Sequence, residues 1–133
     1  PLPHEAGGGP VNPDTLQPPQ IPKNFGIGDV TSTPNAKTAA AVRKQAPIVA
    51  SNILSVLKGN NPTPKYDGYG SCPLTVEKGK IILAEFGYGG KVMPTFPWDS
   101  TTPRRMARFL KKSILPTVYW SVMLKGREWL TGT

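Results

Sequence analysis

Sixteen prolines stand in this chain of 133 residues, and seven of them fall within residues 1–22. Each proline lacks a backbone donor and locks φ near about −65°, so neither a helix nor a central strand is expected in that arm. Gly7, Gly8 and Gly9 loosen it further, and the stretch reads as linker-like. The remaining prolines and the 14 glycines commit much of the rest to turns. With 38% hydrophobic residues, below the roughly 45–50% usual for a globular domain, any core is small. The length suits about one domain, which excludes a complete multidomain enzyme. The chain starts at Pro1 without an apolar leader, and it is expected to be a piece of something longer.

Past the arm, the run Lys23-Asn24-Phe25-Gly26-Ile27-Gly28-Asp29 predicts a brief strand entering a turn. From Lys37 to Lys58 the apolar positions Val42, Ala46, Val49, Ile53 and Leu57 recur every three or four residues. That spacing predicts an amphipathic helix ended by Gly59 and kinked at Pro47. Residues 70–76 and 80–86 are β-rich runs around Glu77-Lys78-Gly79 and predict a hairpin. A final helical region is expected from a cap at Thr102, with Pro103 first in the helix, past a bend near Pro116 to Leu124. The organisation is therefore an arm (1–22), a strand-plus-helix unit (23–60) and a hairpin-plus-helix region (61–133). The fold class is α+β.

Three groups of residues could carry chemistry. Gly28-Asp29 is followed eight residues after the acid by Lys37-Thr38-Ala39-Ala40 at a helix start. Glycine admits close approach to the backbone, aspartate accepts hydrogen bonds from hydroxyls, and a helix N-terminus favours an electron-rich group. The same residues also suit an ordinary turn before a capped helix. Cys72, within Tyr66-Asp67-Gly68-Tyr69-Gly70-Ser71-Cys72-Pro73-Leu74, is either a nucleophilic thiol or a small buried hydrophobe. One cysteine and one histidine exclude an internal disulfide and argue against a self-contained metal site.

The third group is electrostatic. The chain carries +8, and +6 of it resides in residues 103–133. Arg104, Arg105, Arg108, Lys111 and Lys112 precede an apolar run that includes Tyr119 and Trp120. Such a segment suits a membrane interface, cations to headgroups and apolar side to lipid, although it is too short to span. A core-packed helix pair with a solvated basic face fits equally well. Nucleic acid is the weakest partner, because the basic helix contains no recognised reading motif.

Taken in order and spacing, these segments resemble the sulfide:quinone oxidoreductase family. The resemblance is carried by Gly26-Ile27-Gly28-Asp29, by Pro34-Asn35-Ala36-Lys37-Thr38-Ala39-Ala40-Ala41-Val42 with Gln45, and by the cysteine segment. Ile82-Leu83-Ala84-Glu85-Phe86, Leu115-Pro116-Thr117-Val118-Tyr119-Trp120 and Met123-Leu124-Lys125-Gly126 extend it, so it covers roughly residues 11 to 130.

The resemblance implies a flavoenzyme that oxidises sulfide to sulfane sulfur and passes electrons through FAD to membrane quinone. It implies two Rossmann-like domains, of which this chain holds the last strand and helix, before a membrane-facing region. Ile27 and Gly28 are then expected against FAD, and Asp29 on its ribitol. Lys37, Thr38, Ala39 and Ala40 are expected at the isoalloxazine edge, and Cys72 is expected as one of two redox cysteines. The dinucleotide fingerprint and the partner cysteine are absent from the chain, so it is expected neither to retain FAD nor to oxidise sulfide alone. A sulfur acceptor, the remaining domains and an oligomer are further expected partners. A cytochrome-linked sulfide dehydrogenase, a type II NADH dehydrogenase and a non-enzymatic basic membrane module are the alternatives. The end Lys125-Gly126-Arg127-Glu128-Trp129-Leu130 resembles bacterial members of the family more than mitochondrial ones, so a peripheral place on a bacterial cytoplasmic membrane is expected.

Overall fold

The structure is a computed structural model and describes residues 8–97, 99 and 101–127. The first seven residues of the arm, and the part of the C-terminal end at 128–130, lie outside the described residues. In chain order the main elements are α1 (Ala39–Leu57), β1 (Gly70–Glu77), β2 (Lys80–Phe86), α2 (Arg105–Phe109), a π-helical turn (Leu110–Ile114) and α3 (Leu115–Ser121). This is a small α+β arrangement with one two-stranded antiparallel sheet among the described residues.

The described part of the arm has no helix or strand, as its prolines require, yet it is no linker. Leu16 is fully buried and packs with Ala41, Tyr66 and Tyr69. A parallel bridge joins Gly9 to Thr31, the Tyr66 amide donates to Asp14 O at 2.7 Å, and the Gly26 amide donates to Leu16 O at 3.0 Å. Proline explains the pattern, since it loses its donor but keeps its carbonyl. The Tyr88 hydroxyl donates to Pro13 O at 2.6 Å, and Asn52 Nδ2 donates to Pro64 O at 3.1 Å. Side chains thus supply the partners that a backbone ladder would otherwise provide.

The strand expected at 23–29 is not formed. Instead the chain reaches a short 3-10 turn, Gly28–Val30, and Gly28 takes φ 69°, which a residue with a Cβ rarely adopts. The helix is present and runs continuously through Pro47, with Gly59 at φ 78° just beyond its C-cap Lys58. Its inward face differs from the expected stripe. Ala41, Gln45 and Asn52 are buried, while Ile53 is 37% and Leu57 75% exposed. The polar pair turns inward because the irregular segments packed on it present backbone groups that need partners. Gln45 Oε1 accepts from the Gly28 amide at 2.8 Å, and Asn52 Nδ2 also donates to Thr15 O at 3.1 Å.

The expected hairpin is formed, with β1 and β2 paired antiparallel. Cys72 pairs with Ala84 and Glu77 with Lys80 across a two-residue turn, where Gly79 at φ 83° supplies the left-handed position. Ile81 and Arg104 exchange backbone bonds of 3.2 and 3.0 Å, so the chain before α2 runs as an extra edge segment. The helix therefore starts at Arg105 with Arg104 at its N-cap position, not at Thr102 and Pro103. The Thr102 hydroxyl is drawn instead to the Asp99 carboxylate. The expected bend near Pro116 is the π-helical turn just before it, closed by the Leu115 amide on Leu110 O.

Candidate functional site

Thr38 links the helix to the cysteine segment. Its extended backbone makes it the N-cap of α1, and its hydroxyl oxygen accepts from the Ala41 amide at 3.2 Å. The same oxygen accepts from the Ser71 amide at 3.4 Å. A β carbon on Gly70 would lie 3.1 Å from Ala36 O and Cβ, so glycine permits this approach. Cys72, one residue beyond Ser71, is a free half-buried thiol. Residues 36–38 and 70–72, far apart in sequence, form one junction at the positive end of a 19-residue helix.

The rest of the expected FAD contacts surround this junction unevenly. Ala39 is exposed and Ala40 half-buried in the first turn of α1; Ile27 and Asp29 are exposed, and Gly28 is buried between them. Lys37 is also exposed overall, but its ammonium is turned back on the preceding loop. It donates to Thr33 O at 2.6 Å, Thr33 Oγ1 at 2.9 Å and Thr31 O at 3.0 Å. Partial desolvation there pulls its pKa below the usual lysine value, against the raising pull of Asp29. Lys37 therefore braces the 31–33 loop, and its charge stays close behind the helix start.

An open apolar groove of about 540 Å³ leads away from the junction. Ala39, Val42, Ala46 and Ala50 of α1 form one wall, and Val118, Tyr119, Val122 and Met123 form the other. The outward stripe of α1 thus faces the C-terminal helices across a cleft.

On the far side of the hairpin lies a polar network with no counterpart among the expected site residues. Glu85 is 2% exposed; its carboxylate accepts from the Tyr69 hydroxyl at 2.6 Å, the Thr95 amide at 3.0 Å and the Thr95 hydroxyl. Lys44 stands 4.7 Å over the Tyr69 ring. Burial, then the bond to Glu85, pushes the Tyr69 phenol up. Because Glu85 pairs with Ser71 and Cys72 with Ala84, Glu85 and Cys72 project from opposite faces of the sheet. The network anchors the 93–95 segment. The polar residues Gln45 and Asn52, two turns apart on a mostly apolar helix, were a sequence signal for such inward polar contacts.

The residues expected to face a membrane divide. Tyr119 and Trp120 are 42% and 66% exposed, edge to face with ring centres 5.2 Å apart. Arg105 is exposed, while Arg104 is half-buried and its backbone bridges Ile81. Arg108, Lys111 and Lys112 turn toward the hairpin tip. Among the described residues no helix is long and apolar enough to cross a membrane, and no group of three or more His, Cys, Asp or Glu could hold a metal ion.

No family model matches the chain. Curated proteins do. The chain is 41% identical to the mouse mitochondrial sulfide:quinone oxidoreductase over 126 residues, 95% of this chain and 28% of that protein. The protein of the same name from Dictyostelium discoideum is 46% identical over 117 residues, covering 88% of this chain and 26% of that protein. The one from Schizosaccharomyces pombe is 41% identical over 124 residues, covering 90% and 27%. A chain in the cryo-EM structure of the Tetrahymena thermophila mitochondrial ATP synthase superposes with TM-score 0.71 at 25% identity, over 80% of this chain and 26% of that one.

Over about nine-tenths of its length the chain is thus similar to sulfide:quinone oxidoreductases, and it spans about a quarter of the relatives it matches. The relatives are mitochondrial by name, which overturns the bacterial cytoplasmic membrane as the expected location. A six-residue C-terminal pattern has too little physical content to specify a membrane.

Proposed function

We propose that the chain provides the cysteine segment and the membrane-facing part of an FAD-dependent enzyme that oxidises sulfide and reduces quinone at a mitochondrial membrane. The observation that carries this is the shared Thr38 hydroxyl, which holds the start of α1 against Ser71-Cys72. α1 is then the last helix of a Rossmann-like FAD domain.

The residues present fit a flavin. Gly28 at φ 69° carries no side chain over the helix start, Asp29 is an exposed carboxylate beside it, and Ala39 keeps the first turn of α1 low. When bound, FAD supplies the two-electron acceptor for thiol-level sulfur. Asp29 accepts from ribitol hydroxyls, and Ile27 and Gly28 line the cofactor. Thr38, Ala39 and Ala40 present the helix start, whose positive end, with the nearby Lys37 charge, favours an electron-rich ring edge. Cys72 holds sulfane sulfur as one of two redox cysteines; the other, like the remaining Rossmann-like domains, belongs to the parent protein. The apolar groove beginning at Ala39 suits a quinone ring and tail better than a cytochrome surface, and the exposed Tyr119 and Trp120 set its mouth at the lipid interface.

Cys72→Ser in the full-length parent is expected to abolish sulfide-dependent quinone reduction while FAD stays bound. Full activity in that variant overturns the reading. The 133-residue chain alone is expected to lose flavin absorbance on desalting, and retention would show a cofactor site contained within it.

A further inference from the structure

We propose that the basin between the β1–β2 turn and the π-helical turn binds the phosphate of an anionic membrane lipid. This deepens the membrane-facing reading and rests on it, replacing a diffuse basic face with one defined site.

The basin encloses about 670 Å³ and is lined by Lys78, Lys80, Arg108, Lys111 and Lys112, with Glu77 as its one acid. That acid is already engaged, because Glu77 and Lys80 form an ion pair at 3.1 Å. Lys111 is fixed in place: its ammonium donates to Pro73 O at 2.9 Å. Lys78, Arg108 and Lys112 have no carboxylate partner among the described residues. Cations gathered this closely repel one another, and an anion placed among them relieves that cost.

Local structure explains the gathering. Positions 108, 111 and 112 are spaced to share one side of a helix, and the π-helical turn carries the last two toward the hairpin. Gly79 has no side chain in the way; a β carbon there would lie 3.5 Å from Arg108 Nη1. Guanidinium and ammonium groups converging on one volume suit phosphate oxygens.

The surroundings favour a lipid over a soluble phosphate. Leu74 and Val76 on the hairpin are 46% and 50% exposed, and Phe109 and Leu115 on the helices are 57% and 38% exposed. A phosphate carried on acyl chains accounts for cations and exposed apolar groups together, whereas a free phosphate leaves the apolar groups in water.

The test is flotation of the intact protein with vesicles of phosphatidylcholine, alone or mixed with phosphatidylglycerol. A basin triple variant (Lys78→Gln, Arg108→Gln, Lys112→Gln) is compared with a control triple of equal charge loss (Lys23→Gln, Lys58→Gln, Lys91→Gln). At about 1 kcal/mol per basic residue near an anionic surface, the basin triple should reduce partition to the mixed vesicles by about a hundredfold. The control triple should reduce it far less, and the two should not differ on phosphatidylcholine alone. Should the basin triple fail to fold, judged by circular dichroism, the single exposed change Lys112→Gln replaces it, with an expected loss of about fivefold. Equal losses in basin and control variants would mean diffuse attraction and overturn the proposal. Glycerol phosphate binding that is lost in the basin triple, with no difference between the basin and control triples in flotation, would assign a soluble phosphate instead, and would overturn it as well. No sulfide or quinone enters this assay, so its failure leaves the Cys72 reading standing, and the converse also holds.

Discussion

The region around α1 and the C-terminal helices invert the usual relation between regular structure and packing. Residues 8–38 and 60–69 contain little helix and no strand, yet they bury Leu16, Tyr66 and Tyr69 to 0%, 2% and 7% exposure. Residues 105–125 are almost continuously helical, yet Met106 and Trp120 are 65% and 66% exposed. In the first region order comes from side chains that satisfy proline-rich backbone and close over a small core. In the second, the helix satisfies its own backbone and leaves much of its apolar side exposed. A well-formed helix is therefore no sign of a finished core.

The difference can be broken most severely with alkali. Tyr66, Tyr69 and Tyr88 sit in or against the small core, and burial raises the pKa of all three phenols, Tyr88 to about 12. An unfolded chain loses these protons near pH 10 while the folded one retains them. Their stabilising contribution is complete below pH 10 and is lost as pH rises from there through the folded-state values. Lys37, with a lowered pKa, acts in the opposite sense just below its unfolded value near 10.5, but through one largely exposed group. Denaturant unfolding followed from pH 8 to 12 should show a steep loss of stability above pH 10. A flat profile would mean that the tyrosine core is open in solution.

Leu16→Ala comes next. A fully buried leucine truncated in a core this small should cost about 3 kcal/mol in denaturant unfolding. A loss below about 1 kcal/mol would return the arm to the status of a linker. Leu16 also sits at φ 61°, unusual for a bulky residue, so only packing and the bonds around it hold that conformation. Thr38→Ala should cost about 1 kcal/mol through loss of the α1 cap. It should also loosen the junction at Ser71, seen as faster amide exchange there; an unchanged Ser71 rate would separate the helix start from the cysteine segment. The smallest effect is expected from Trp120→Ser, within about 0.5 kcal/mol in stability, paired with weaker flotation on vesicles. A large stability loss would show that the C-terminal apolar face is core after all.

Period and punctuation made α1 and the hairpin readable. A 3.6-residue recurrence closed by Gly59, and two β-rich runs around Lys78-Gly79, have few alternative solutions. The boundary of α2 was misread because Pro103 suits a first helical turn, while the free edge of β2 at Ile81 offers Arg104 two backbone bonds. The α1 face was misread because hydrophobic spacing ignores what the opposing surface needs. That surface is irregular backbone, and Gln45 and Asn52 satisfy it where leucine or valine would not.

For the candidate site, local chemistry identified the residues and tertiary contact decided their relations. Gly28, Asp29, Thr38 and Cys72 stand out by type and by order along the chain. That the Thr38 hydroxyl reaches Ser71 and that Arg108, Lys111 and Lys112 face the hairpin tip follow from contacts across tens of residues, whereas Lys37 turns back to Thr31 and Thr33 within its own loop. Proline scarcity of donors and helical periodicity act within a few residues, so they can be read along the chain. Which carbonyl a lysine meets, or which cations share one basin, depends on how separate segments stack, and that is settled only when the small core around Leu16 and Tyr66 closes.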